Sequence, residues 1–345
     1  MNVEIVSAGS LAASDLARWS ELQQARPLYR SPFFRPEFAL TVARVRDVRV
    51  AVVEDAGSVA GFFAFEAGRA RHGRPVGSPF SDYHGPVLED AAELDARELV
   101  RACGLRTWSF DHLPGGVEGF GPHVRGHGAS PCLDLTEGFD PEAAGRKAPS
   151  DIRGALRKAR KLAREVGPLR FLPESDAPEL LAQAITWKRR QYGATGVRDV
   201  LADPGGRELL AHVHAAREPG FAGALSVLYA GDQVAAVHLG LRAGGVLHSW
   251  FPAYNPDLHR YSPGLVLLLE LAKAAPALGI RELDFGKGEA RYKLALATGT
   301  VTIHEGSVGA RRLSGLPVRL RAGARRALRA AGVHRAARRV LRRAR

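Results

Sequence analysis

The chain has 345 residues, 46% hydrophobic and 25% charged, the balance of a folded globular protein long enough for two domains. No apolar run approaches the roughly 20 residues that cross a bilayer, and the first residues lack a basic segment followed by an apolar core, which argues against a membrane-spanning helix or a secretory leader. The formal charge of +13 belongs to the end of the chain: residues 311–345 hold 13 arginines and no Lys, Asp or Glu, leaving 36 basic against 36 acidic residues before them.

A short strand is expected at residues 3–6 and a helix at 11–24; the aromatic turn Ser31-Pro32-Phe33-Phe34 leads into a helix at 37–44. Residues 48–54 and 58–66 are β-rich runs joined by Asp55-Ala56-Gly57, a hairpin signal. An irregular polar stretch containing Ser81-Asp82-Tyr83-His84 follows, then a helix at 91–102 and a strand at 107–110. Gly115, Gly116, Gly119, Gly121, Gly126 and Gly128 make the next stretch read as loop. Cys103 and Cys132 have neither disulfide-framework nor metal-site spacing, so a reducing cytoplasm is the expected setting and no metal is expected.

A boundary falls near residues 140–149. Beyond it a helix at 150–166 carries Ile152, Leu156, Ala159, Ala163 and Val166 on one stripe. Arg153, Arg157, Lys158, Arg160, Lys161 and Arg164 lie opposite, a face that is either solvated or set against an anionic substrate. Helices at 177–192 and 204–214 precede three antiparallel strands at 224–229, 233–242 and 246–251. The pattern of residues 50–68 returns at 225–244: strand, Asp/Gly turn, Val-Ala, strand, Gly. That echo implies two related halves, residues 1–145 and 146–310, ahead of a basic tail at 311–345.

Residues 253–293 hold the densest chemistry. Tyr254-Asn255-Pro256-Asp257 leads to Ser262-Pro263-Gly264, with Ser262 placed to cap a helix, Pro263 suited to its first turn and Gly264 leaving main-chain amides uncovered. Such a terminus attracts an anion, phosphate or carboxylate, because its N–H groups lack partners and the helix dipole adds positive potential. An apolar helix, a strand at 280–285 and the polar group Asp284, Lys287, Glu289, Tyr292 and Lys293 complete the stretch.

Val234-Ala235-Ala236-Val237-His238-Leu239, Ala253-Tyr254-Asn255-Pro256, Tyr261–Leu265, Asp284-Phe285-Gly286-Lys287-Gly288 and Tyr292-Lys293 together resemble the CelD/BcsL-type acetyltransferases of the GCN5-related N-acetyltransferase (GNAT) superfamily, which are similar to FemAB-type transferases. The resemblance covers residues 150–302 well and the first half chiefly through Ser81-Asp82-Tyr83 and Gly85-Pro86. It implies an α/β fold made of a tandem pair of GNAT-like units, mixed sheets flanked by helices, the second unit holding acetyl-CoA or another acyl-CoA. It places Arg260, Tyr261, Ser262, Gly264 and Leu265 beside the coenzyme pyrophosphate. One departure is plain: only Gly264 follows Arg260 where the superfamily has a glycine-richer loop, and Pro263 removes an amide donor. The implied activity is acyl transfer to an amine or hydroxyl of a sugar-containing or envelope precursor. The alternatives are a FemAB-like transferase using aminoacyl-tRNA and a non-catalytic binding protein.

Acyl transfer from a thioester requires loss of a proton from the acceptor, a stabilised oxyanion and protonation of the leaving thiolate. Asp284, at the end of a buried strand where desolvation raises a carboxyl pKa, competes with His238 and His248 for the role of base. Tyr292 is the candidate donor to the thiolate. Trp250 and Tyr254 are candidates to stack on a sugar, Lys287 and Lys293 to contact substrate, and Asp82 and Tyr83 to wall the acceptor cleft from the first half. For the tail, a solvated appendage, an anionic membrane surface and nucleic acid compete. Peripheral attachment to the inner face of a membrane is favoured, and no motif supports nucleic acid.

Overall fold

A computed structural model describes residues 2–89, 94–147, 150–196 and 198–309. The basic tail expected at 311–345, and the first residues of the helix expected at 91–102, lie outside the described residues. Among the described residues no helix is long and apolar enough to cross a membrane.

The first half contains β1 (Asn2–Ser7), α1 (Ala13–Ala25), α2 (Pro36–Ala43), β2 (Val48–Asp55), β3 (Ser58–Ala67), β4 (His72–Arg74), β5 (Val87–Leu88), α3 (Ala96–Ala102), β6 (Thr107–Pro114) and β7 (Val124–Asp134). The second contains α4 (Pro141–Lys147), α5 (Ser150–Glu165), β8 (Leu169–Leu172), α6 (Pro178–Thr195), α7 (Pro204–Ala215), β9 (Arg217–Glu218), β10 (Phe221–Ala230), β11 (Gln233–Ala243), β12 (Val246–Tyr254), α8 (Pro263–Ala274), β13 (Glu282–Asp284), α9 (Arg291–Leu296) and β14 (Gly299–Gly309). The expected division at 145/146 falls inside α4.

All fourteen strands join one mixed sheet, whose main path runs β1-β2-β3-β4-β6-β14-β7-β13-β12-β11-β10-β8. Read from either end it gives the same sequence of roles. An antiparallel set ends in a parallel pair, β4 with β6 on one side and β12 with β13 on the other. The hairpin β2–β3 answers β10–β11, so the duplication legible in the sequence is a duplication of fold. The centre is crossed over: β14, the last strand of the second half, lies between β6 and β7, while β7 of the first half pairs with β13. Each half therefore completes the other's sheet, and the seam between them is main-chain hydrogen bonding.

Apolar faces bury against the sheet as the alternation of β2, β3, β10 and β11 dictates. The first-half core is aromatic: Trp19 stacks on Phe62 with ring centroids 5.1 Å apart, and Phe63 meets Trp108 edge-on at 5.0 Å. In the second half α8 packs Leu268, Leu269, Leu271 and Ala272 against Leu133, Leu247 and Leu283, an apolar wall that fixes where the helix begins.

Candidate active site

β12 and β13 run side by side only through the pairs Val246–Glu282, Leu247–Leu283 and His248–Asp284. Past that point β12 continues along β11 to Tyr254, and β13 ends. A bulge lies at the fork: Leu239 faces Phe251 and Leu241 faces His248, so Ser249 and Trp250 together oppose Gly240. Bulges re-aim side chains, and this one divides the candidates into two sets.

The first set is a buried polar junction between the halves. His248, fully buried, approaches Asp82 Oδ2 through Nε2 at 2.8 Å and Asp284 Oδ2 through Nδ1 at 3.5 Å. Asp284 Oδ1 accepts from Ser130 Oγ at 3.0 Å and from the Gly286 amide at 2.8 Å. Asp82, with its side chain 28% exposed, also faces His112 Nε2 at 3.4 Å, and His112 Nδ1 lies 3.0 Å from the exposed Asp111 carboxylate. Carboxylates and imidazoles thus alternate from the buried Asp284 out to solvent. Phe33 and Tyr83 pack edge-on against His248 with centroids at 5.0 and 6.0 Å, closing it from water.

Charge follows from these neighbours. Burial alone pushes His248 down, but Asp284 and Asp82 overcome it and raise its pKa to about 9, so it is an imidazolium at neutral pH. Burial pushes Asp284 up, yet the His248 charge, its hydrogen bond and the Gly286 amide hold the carboxyl at about 2. The expected upward shift of Asp284 is therefore reversed. With one oxygen taken by Ser130 and Gly286 and the other facing His248, both Asp284 oxygens are engaged within the junction. Asp82, also held below the usual carboxylate range because His248 and His112 outweigh its burial, is the junction's carboxylate in the wall facing outward.

Gly286 lets the loop close. At φ +67° it holds a left-handed conformation, and an added Cβ would sit 2.7 Å from Asp82 Oδ2. Gly286→Ala is expected to lower stability by about 1–3 kcal/mol through strain and that clash. An unchanged midpoint in chemical denaturation would refute this. Lys293 and Lys287 brace the same loop: Lys293 Nζ donates to the carbonyls of Gly286 and Lys287 at 3.0 Å, and Lys287 pairs with Glu305 and donates to the Asp111 carbonyl. Both expected substrate contacts are thus engaged with the protein.

The second set lines a cleft of about 270 Å³ beside the start of α8. Its walls include His238, Ser249, Tyr254, Gly264, Leu265 and Tyr292, together with Lys188 and Gln191 of α6. His238 lies 3.0 Å from Ser249 Oγ through Nε2, and burial with the nearby His248 charge lowers its pKa to about 4, leaving it neutral. Burial raises the Tyr292 phenol, keeping it protonated as a donor must be. Ser262 occupies the cap position of α8 in a left-handed conformation without capping it; its Oγ instead accepts from Lys158 Nζ at 2.8 Å. Leu265 and Val266 turn their amides back to the Ser262 carbonyl at 3.0 and 3.2 Å, so fewer donors are open than expected and Gly264 supplies the uncovered one.

Three of the expected contact residues are engaged within the protein. Tyr261 is 1% exposed and donates its hydroxyl to Glu165 at 2.7 Å, tying the turn before α8 to α5. The Arg260 guanidinium lies over the Tyr261 ring at 4.7 Å and near Glu165. Trp250 donates its indole N–H to the Phe80 carbonyl at 2.6 Å and meets Phe33 edge-on, which fixes its ring in a half-buried position. Tyr254 stays exposed at the cleft mouth. Sequence reasoning missed His112, Ser130, Ser249 and Lys188; alternation along β6 and β7 was the available signal for the first two, but the strand expected at 107–110 stops short of His112 and glycines obscure β7.

His84, Asp111 and His112 are the described residues closest to metal-ligand spacing, one atom of each lying within 4.8 Å of the others. The His84 Nε2 lone pair already accepts from the Asp111 and His112 amides at 3.1 Å, so it is committed to the protein.

Residues 150–294 match the family model described as Acetyltransferase (GNAT) domain. No curated protein sequence matches the chain. Among solved structures, FemX aligns at a TM-score of 0.57 and 11% identity over 88% of this chain and 96% of its own. A tandem GNAT protein from the clavulanic acid biosynthesis pathway aligns at 0.51 and 14% over 91% and 100%. A conserved protein of unknown function from Bacteroides thetaiotaomicron aligns at 0.53 and 10% over 85% and 97%. At these identities the likeness is one of fold. The second half of the chain thus matches the acetyltransferase (GNAT) domain, and the whole has a tandem GNAT-like fold.

Proposed function

We propose that the protein transfers an acetyl or other acyl group from acyl-CoA directly to an amine or hydroxyl of a small or glycan-type acceptor. The observation that carries this reading is the fork of β12 from β13. At the fork His248 turns to Asp82 and Asp284, and the residues of β12 just past it, Ser249 and Tyr254, line the cleft with His238, Gly264 and Tyr292. The residues present suit an acyl-CoA: Gly264 lines the cleft, where an added Cβ would meet only the Tyr254 ring at 3.6 Å, and Lys158 sets an ammonium beside the helix start. Bound there, the thioester supplies the activated acyl carbon. Asp82 then holds the acceptor N–H or O–H and takes its proton, His248 and Asp284 fix Asp82 in place, and Tyr292 protonates the leaving sulfur. Direct transfer is favoured because both cysteines are buried and burial pushes their thiols up, to about 12 for Cys103 and about 11 for Cys132, away from the thiolate a covalent route needs. A sugar-containing or envelope precursor as acceptor rests on the family resemblance, and peripheral membrane attachment on the arginine-rich composition of residues 311–345.

Calorimetric titration with acetyl-CoA tests the donor. Saturable binding is expected, and Gly264→Trp should weaken it by more than about a hundredfold, ~2.7 kcal/mol, by filling the space over the helix start. No heat at millimolar acetyl-CoA, with binding of an aminoacyl-tRNA instead, would overturn the reading.

A further inference from the structure

Among the described residues, Lys188 is the one cation that lines the cleft, and no carboxylate lines it. Its Nζ donates to the Pro252 carbonyl at 2.9 Å and lies 5.7 and 5.9 Å from the ring centroids of Phe251 and Tyr192. Among the described residues it has no ion-pair partner. A half-buried ammonium without a counter-ion is costly, so it is easily discharged.

We infer that Lys188 is a self-acylation site, loaded from the acyl thioester held in the same cleft and closing that cleft once loaded. The inference rests on the acyl-CoA reading above. In the step, the unprotonated Nζ attacks the thioester carbonyl, a C–N bond forms, the C–S bond breaks and its electron pair leaves on sulfur. The proton released by nitrogen goes to that thiolate, giving an amide and free coenzyme A.

The surroundings support a nucleophilic amine. The titratable groups that share its surroundings are Tyr192 on its own helix, His238 on β11, Tyr254 on β12 and Tyr292 on α9, none a carboxylate. Burial lowers the Lys188 pKa to about 8, so about half of it is neutral amine at that pH, where an ordinary lysine is well under about 1% neutral. Acylation removes the charge and adds bulk at the wall facing Gly264, so a loaded protein should no longer admit the donor. In the absence of acceptor the reaction is therefore self-limiting.

The test is to incubate the full chain with acetyl-CoA at pH 8 without acceptor, map acetylated peptides by mass spectrometry, and titrate the same preparation by calorimetry. Acetylation of Lys188 is expected to exceed that of the exposed Lys161 and Lys273 by about tenfold or more, in line with its larger neutral fraction. It should saturate at the calorimetric dissociation constant, be suppressed by free coenzyme A, and reduce donor binding in proportion. Donor binding with Lys188 acetylated no faster than Lys161 and Lys273 would overturn the inference and leave the acyl-CoA reading standing. Absence of donor binding overturns both.

Discussion

Asp82→Asn is expected to lower kcat by about 10²–10⁴-fold, the usual contribution of a positioned general base, while leaving acetyl-CoA affinity within about twofold. The substitution keeps the shape of the side chain and its reach to His248 Nε2, now 2.8 Å from Oδ2, but removes the charge that holds the acceptor and receives its proton. The split between kcat and donor affinity distinguishes this from a structural effect, because the cleft at Gly264 and Tyr292 does not include Asp82. Asp284→Asn should behave differently. Its carboxylate is 3% exposed and engaged with Ser130, Gly286 and His248, so the loss should show first in stability and only secondarily in turnover. If Asp82→Asn turns over within about threefold of the parent, the assignment of the base to the first half fails.

That the first half contributes Asp82 and Tyr83 to the site was partly legible in the sequence. The hairpin echo at 50–68 and 225–244 placed Asp82 and Tyr83 opposite the second-half site, and the fold bears out the duplication. What the echo could not show was the exchange of β7 and β14. Neither strand announces itself: β7 carries Gly126, Gly128 and Pro131, and β14 begins and ends in glycine with Gly306 inside it. Such residues depress strand propensity, so the first stretch reads as loop. Tertiary pairing overrides propensity here. Gly306 is required where an added Cβ would meet the His123 carbonyl at 2.2 Å, and the strands gain partners on both edges that no local pattern encodes. Ser130 reaches the junction from β7, so missing the exchange meant missing it, whereas His112 lies on β6 just past the end of the strand expected at 107–110.

The sign of the Asp284 shift was misjudged for a related reason. Burial was legible from the apolar strand, and burial alone does raise a carboxyl pKa. The opposing cation, His248, lies 36 positions away on β12, and only the parallel register His248–Asp284 brings it near. Likewise Ser262-Pro263-Gly264 announced a helix start correctly, whereas the use of Ser262 by Lys158 depended on the docking of α5.

The same register makes His248 the residue whose loss should cost most stability. His248→Ala removes the cation between Asp82 and Asp284 and leaves Asp284 buried without a positive partner, which is expected to cost about 3–5 kcal/mol in denaturant unfolding. The pH dependence separates this from mere loss of packing. In the parent, His248 has a folded pKa of about 9 against an ordinary 6.5, so its contribution, roughly 3 kcal/mol, is fully present below about pH 6.5 and is lost as pH rises through 9. Asp284 works in the other direction: held at about 2, it contributes above its ordinary value of 3.8 and loses that contribution as pH falls through 2. These are two views of one interaction and do not add, and the parent should be most stable between about pH 4 and 6.5. In His248→Ala, the cation that outweighs burial is gone and only the Ser130 and Gly286 hydrogen bonds still oppose it, so the Asp284 pKa rises and the gap between the two proteins should narrow on acidification. Urea midpoints of both proteins from pH 4 to pH 9 would show the two curves converging at each end of that range. Parallel curves would mean that His248 is neutral in the fold and that the alternating carboxylates and imidazoles carry no charge coupling. Asp284→Asn in the His248→Ala background supplies the complementary cycle: it should recover part of the loss, because an amide at that buried position has no charge to leave unpaired.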